Sequence, residues 1–257
     1  MKKIVLEKLH GGQVWKVTLN APKGNVVDSA MLGELHGVVD QLGGDKHCKL
    51  LLLQGAGRHF SFGVSVEEHR PEGAAAMLDR FNGLFLRLAE VGVPVCAAVS
   101  GQCLGGGMEL ATFAHFVFAD ESARLGQPEI NLGVFPIPAL VIVPMKAGQS
   151  VADDLILSGR SLDAHEAKQL DLVSAVYADR ASMEEGIEAW IQRTILPKSA
   201  LALRVTAQAV RREFDRLLRC ELASYRDVYM DVLMQSHDGR EGLNAFLEKR
   251  SPVWTDE

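Results

Sequence analysis

Two short stretches alternate between apolar and polar residues, 4–9 (IVLEKL) and 14–19 (VWKVTL), and Gly11-Gly12 lies between them. That pattern predicts a β-hairpin. A loop of Asn20, Ala21, Pro22, Lys23, Gly24 and Asn25 follows, and then the period changes. Met31, Leu32, Leu35, Val38, Val39 and Leu42 recur at helical spacing, with Asp28 or Ser29 positioned to cap the first turn. The run Leu50-Leu51-Leu52-Leu53, closed by Gly55-Ala56-Gly57, predicts a strand covered on both faces. A helix over residues 73–90 carries Met77, Leu78, Phe81, Leu84, Phe85 and Leu88 on one side. Residues 93–99 (VPVCAAV) predict a second buried strand. Farther on, short helices over 150–158 and 163–170 and a last strand over 173–177 are expected. From about Ala181 the chain reads as helical, with a break at Pro197 and a long segment over 200–234. Alternating strands and helices predict a layered α/β fold.

The chemistry concentrates in residues 93–136. After the strand, Gly101 and the triplet Gly105-Gly106-Gly107 turn the backbone tightly, and Met108-Glu109-Leu110-Ala111 begins a helix. The first amides of a helix lack partners within it, and the helix dipole makes that end partly positive. Such a junction can hold an anion or a developing oxyanion, although a glycine triplet before a helix, taken alone, is more often a plain tight turn. A second carboxylate, Glu129, stands in Gly126-Gln127-Pro128-Glu129-Ile130. Amide donors and two acids together make a candidate proton-transfer site.

Composition removes several alternatives. A net charge of −6 over 257 residues argues against nonspecific nucleic-acid binding, which requires a basic face. Cys48, Cys96, Cys103 and Cys220 show neither close pairing nor ligand spacing, and the eight histidines show none, so no metal site is expected. Charge interrupts MKKIVLEKLH too early for a signal peptide. The longest apolar run, residues 134–144, contains Pro136, Pro138 and Pro144 and falls short of the ~20 residues of a membrane span. A soluble cytoplasmic protein is the expectation.

GQCLGGGMELA and LGQPEINLG resemble the two signature segments of the enoyl-CoA hydratase/isomerase (crotonase) superfamily, and the likeness extends over nearly the whole chain. It implies an α/β spiral of ββα units with a helical C-terminal trimerisation region. Residues 1–196 would form the core and 197–257 the helical region that packs trimers and covers coenzyme A. The assembly would be a homotrimer or homohexamer. The resemblance further implies a hydro-lyase acting on an unsaturated acyl-CoA, with Glu109 and Glu129 as the acids. The backbone N–H groups of Val64 and Gly106 would form the oxyanion hole. Ser65 stands where the family often has Asp. Coenzyme A would be part of the substrate, with no separate cofactor. Its binding would involve Ala21 and Lys23 in the first loop, and Phe246 and Lys249 reaching in from a neighbouring subunit. His59 and His69 are weaker acid–base candidates, since a lone loop histidine is more often a surface or supporting residue.

Two carboxyl groups holding one water can divide proton removal and proton delivery between them, and which Glu does which is not legible in the residues. Common hydratases carry a Gly-rich polar turn after the second acid. Here the chain has Gly133-Val134-Phe135-Pro136-Ile137-Pro138-Ala139-Leu140, rigid and apolar. The change fits either altered helix packing or an acyl pocket reshaped around a ring, with Phe135, Ile137 and Leu140 lining it. This segment and residues 60–69 look like the cyclohexa-1,5-diene-1-carbonyl-CoA hydratases of anaerobic aromatic degradation. The alternatives are a general short-chain enoyl-CoA hydratase and a non-catalytic acyl-CoA-binding or assembly protein.

Overall fold

The computed structural model describes residues 2–21 and 23–257; Pro22 of the predicted first loop lies outside the described residues. The hairpin forms as expected, β1 (Ile4–Leu9) antiparallel to β2 (Val14–Leu19). Helix α1 (Ser29–Gly44) is capped by Asp28, whose side chain accepts from Met31 N, and it buries the six apolar positions predicted for it. Then come β3 (Leu50–Gly55), α2 (Pro71–Val91), β4 (Val95–Val99), β5 (Gln102–Leu104) and α3 (Gly106–Phe113). The chain continues through β6 (Phe116–Asp120), β7 (Arg124–Gly126), α4 (Ala139–Ala147), α5 (Gln149–Ser158), β8 (Ser161–Asp163), α6 (Ala164–Gln169) and β9 (Ala175–Tyr177). Helices α7 (Arg180–Trp190), α8 (Ala200–Val210), α9 (Arg212–Val228) and α10 (His237–Glu248) complete it.

Six strands form one sheet in the order β1-β2-β3-β4-β6-β9, parallel from β2 onward, and β5-β7-β8 form a smaller sheet. The spiral arises because β4 and β6 of the large sheet each lead directly into a short strand of the small one. Strand periodicity explains the apolar runs. Leu51, Leu53, Val95, Ala97 and Val99 enter the main core, whereas Leu50, Leu52, Cys96 and Ala98 enter a second core closed by Met183, Ile187, Ile191 and Ile195. Side chains one residue apart point to opposite faces, so a sheet covered on both sides reads as continuous apolar sequence.

Three features depart from the sequence reading. The strands of the small sheet, three residues each, are too short to show a period. Helix α4 forms in the proline-rich run because Pro138 sits at its N-cap with φ −60 and ψ −35, angles that start a helix without a free N–H. The long segment after residue 200 is two helices joined at Arg211, followed by a wider turn over Tyr229–Leu233. Helix α9 packs on α2 and α4, and α10 packs on the turn after β7, so the C-terminal helices reach the region of Glu109 and Glu129.

Candidate active site

Glu109 and Glu129 are brought together in one cavity of about 580 Å³. Its walls include Phe62, Val64, Phe81, Gly106, Phe135, Ile137, Tyr229 and Phe246, most of them apolar. Glu109 projects from the first turn of α3 and is 3% exposed; its Oε1 accepts from Ala139 N at 2.8 Å, the first amide of α4. Glu129 lies in the 3-10 turn Pro128–Leu132, and its Oε2 is buried without a partner among the described residues. Gly105 lets it approach. With φ +50 the position favours glycine, and a Cβ there would collide with Glu129 Oε1.

Removal from water favours the neutral acid. Burial raises the Glu129 pKa to about 8. For Glu109 burial acts first and the charge of Glu129 second, against the Ala139 N–H, and the net shift is well upward. The pair thus keeps at least one proton through neutral pH. Like-charge repulsion makes the two groups titrate together.

In the same cavity lining, the segment 60–64 runs beside β5. Phe60 N donates to Ser100 O at 2.8 Å, Ser61 N to Gln102 O at 3.1 Å and Leu104 N to Ser61 O at 3.0 Å. Buried Asn25 anchors this segment from behind, its Nδ2 donating to Ala56 O, His59 O and Phe60 O. Neighbouring amides find partners: Ser65 N donates to Val27 O, Gly63 N to Ser61 Oγ and Gly105 N to Gly126 O. No such acceptor serves Val64 N or Gly106 N among the described residues. The two positions are tightly apposed, since a Cβ on Gly106 would stand 2.5 Å from Val64 Cγ2 and 3.2 Å from Val64 N.

The other expected site residues divide. Phe135 and Ile137 line the cavity, whereas Leu140 does not: it is the second residue of α4 and packs half-buried against the core. Ala21 and Lys23 line a separate cleft of about 350 Å³ with Arg58 and His59, and His59 stacks on Phe62 of the main cavity at 4.9 Å. Phe246 lines the main cavity within its own chain. It is brought there by the close seating of α10: a Cβ on Gly242 would collide with Leu132 O, so the helix lies directly on the turn that carries Glu129. Lys249, exposed at the left-handed end of α10, lines none of these cavities.

Of the two histidines, His59 Nδ1 accepts from Gln102 N at 3.0 Å and supports the loop. His69 lines the cavity, with Nδ1 on Ser65 O at 2.8 Å and a pKa lowered by burial. Tyr229 is a cavity residue that the sequence reading passed over. Apolar and aromatic positions at helical spacing there read as core.

The family model for enoyl-CoA hydratase/isomerase matches residues 10–257. This chain belongs to the enoyl-CoA hydratase/isomerase family. It is 38% identical over 252 residues to the cyclohexa-1,5-dienecarbonyl-CoA hydratase of Thauera aromatica, covering 98% of this chain and 96% of that one. It is 33% identical over 243 residues to the 2,3-dehydroadipyl-CoA hydratase of Escherichia coli K12, covering 93% and 94%. The crystal structure of an enoyl-CoA hydratase from Mycobacterium avium subsp. paratuberculosis K-10 superposes with a TM-score of 0.85 at 28% identity, covering 98% of both chains. The fold is therefore the crotonase type, and the chain is an enzyme of the hydratase kind within that family. No helix among the described residues is long and apolar enough to cross a membrane.

Proposed function

We propose that the enzyme adds water to, or removes it from, an unsaturated acyl-CoA, with Glu109 and Glu129 as its acid–base pair. The single observation that carries this reading is a pair of buried carboxyl groups sharing one largely apolar cavity with two backbone amides that have no acceptor among the described residues. The Val64 and Gly106 N–H groups stabilise charge arriving on the thioester oxygen without reorganising, a contribution of roughly 3–4 kcal/mol per donor in other enzymes. One carboxylate takes a proton from water, and the other group, still protonated, supplies one to carbon. A non-catalytic binder would have no use for two buried acids at this point.

The acyl group we propose is a cyclic 1,5-diene. Hydroxide adds to the ring carbon β to the thioester, and the electron pair moves through the diene onto the carbonyl oxygen. As that charge returns, the far terminus of the diene takes the proton, leaving a 6-hydroxy monoene. Support comes from Phe135, Pro136, Ile137 and Pro138 on the cavity wall and from the likeness to the Thauera enzyme. Proline fixes φ, so this wall is shaped before the substrate arrives and suits a ring with few rotatable bonds to order. A general short-chain enoyl-CoA hydratase is the rival reading.

Coenzyme A would lie across the cleft of Ala21, Lys23, Arg58 and His59, whose cations suit its phosphates. Exposed Leu201, Val205 and Val210 along α8 support packing against further copies, as a homotrimer or homohexamer. In that division residues 1–196 form the catalytic core, while 197–257 assemble the oligomer and also contribute to the cavity. Turnover across a panel of straight-chain and cyclic enoyl- and dienoyl-CoA thioesters, with product structure by NMR, tests the proposal. Inactivity toward every member would refute it.

A further inference from the structure

Several buried side-chain atoms lack a partner among the described residues, and two of these belong to groups that line the cavity: Glu129 Oε2 and Tyr229 Oη. Tyr229 is 1% exposed, and its ring meets Phe135 edge-on, with centroids 5.6 Å apart and planes at 89°. A phenylalanine would make the same packing contact. The hydroxyl adds nothing to that packing, and a buried polar group without a partner costs roughly 1–3 kcal/mol. Such a group is expected to meet its partner in a ligand.

The backbone supports the same assignment. Tyr229 opens the wide turn that interrupts the helical run after α9, and Met234 N donates to Tyr229 O at 2.9 Å, five residues apart. Widened turns of this kind are rare and recur at functional sites. Burial, with the charges of Glu129 and Glu109 added, raises the Tyr229 pKa, so the phenol remains a neutral donor throughout the working range.

We propose that Tyr229 is a further substrate-contacting residue, whose hydroxyl donates a hydrogen bond to the oxygen being added to, or leaving, the acyl group. It keeps its own proton; the glutamates move theirs while Tyr229 holds the reacting oxygen between them. This rests on the hydratase reading above and extends it to a group contributed by the C-terminal helices.

The test compares wild type with Tyr229→Phe, which removes one oxygen and keeps the contact with Phe135. Three quantities are measured: kcat for hydration of cyclohexa-1,5-diene-1-carbonyl-CoA and of crotonyl-CoA, the dissociation constant of cyclohexanecarbonyl-CoA, and the melting temperature. Cyclohexanecarbonyl-CoA has no double bond to hydrate and gains no hydroxyl. Expected are a fall in kcat of roughly 10–100-fold, the range of one hydrogen bond to a partly charged oxygen, unchanged affinity for the saturated thioester, and a melting temperature equal or higher. A kcat within twofold of wild type would overturn the proposal, as would parallel losses of kcat and saturated-thioester affinity. If wild type hydrates neither unsaturated thioester, the hydratase reading itself fails, and the assignment of Tyr229 falls with it.

Discussion

Part of the cavity lining is a backbone wall, and another part is a wall of side chains brought in from distant parts of the chain. On the first, the segment 60–64 lies along β5, and glycines at 105 and 106 let Glu129 and Val64 come close without a Cβ in the way. On the second, Phe135, Pro136 and Ile137 line the cavity together with Tyr229 and Phe246, nearly a hundred residues or more farther on. The backbone wall tolerates little variation, because amide donors and carboxylates must hold fixed geometry. On our reading Phe135, Pro136 and Ile137 can change the volume of the side-chain wall while the acids and amide donors stay in place, and Tyr229 on that same wall serves the reaction. We therefore propose that reaction type and substrate choice rest on largely different residues of one cavity.

The separation can be broken most severely at the acids. Glu109→Gln and Glu129→Gln should each lower kcat by roughly 10²–10⁴-fold, the usual range for acid–base groups. The double variant should lose far less than the product, because the pair acts as a unit. Near-normal turnover in either single variant, with folding verified by circular dichroism, would remove that residue from the mechanism. Next in size is Gly106→Ala, whose Cβ would press on Val64 Cγ2 at 2.5 Å and Phe81 Cζ at 3.0 Å. Displacing the Val64 donor should cost about 10²-fold in kcat, for straight and cyclic substrates alike. A selective loss for one substrate would show that this wall also chooses the acyl group.

Phe135→Ala should sharpen the contrast in the other direction. It ought to lower kcat/KM for the cyclic dienoyl thioester by about 10-fold and leave crotonyl-CoA less affected, since pocket fit is worth only ~1–3 kcal/mol per methylene-sized change. Equal losses for both substrates would place Phe135 with the chemistry. The smallest effect is on stability. Between the ordinary carboxylate range and about 8, folded Glu129 holds a proton that the unfolded chain releases. Wild-type stability should therefore fall as pH rises through that window, by at most about 1.4 kcal/mol per pH unit for one proton. Glu129→Gln should melt with wild type near pH 4 and at a higher temperature near pH 8. Parallel melting curves would mean that Glu129 is not held protonated.

Much of the backbone wall was legible in the sequence. Leu50–Leu53 and Val95–Val99 form central strands, the helix starts at the glycine triplet, and both glutamates reach the cavity, because strand runs and a glycine turn are local signals. The side-chain wall was legible only in part. Phe135 and Ile137 stood out by their bulk, but Leu140 turned out to lie beyond the cavity once α4 formed. Tyr229 carried no mark that separates it from an ordinary core aromatic. Its role depends on where α9 docks and on a widened turn, neither of which has a local sequence signature. The same holds for Phe246: its place in the cavity depends on the fit of Gly242 against Leu132, a contact between residues far apart in the chain.

Competition between cyclohexa-1,5-diene-1-carbonyl-CoA and crotonyl-CoA in one reaction, followed by mass spectrometry, tests the central claim most directly. The ratio of consumption rates gives the ratio of kcat/KM without separate enzyme preparations. A wall pre-shaped by Pro136 and Pro138 predicts that the cyclic thioester is consumed first, by roughly 10–200-fold, and that its product is the 6-hydroxy monoene. Crotonyl-CoA disappearing first would make the enzyme a general hydratase and contradict the reading of the apolar wall.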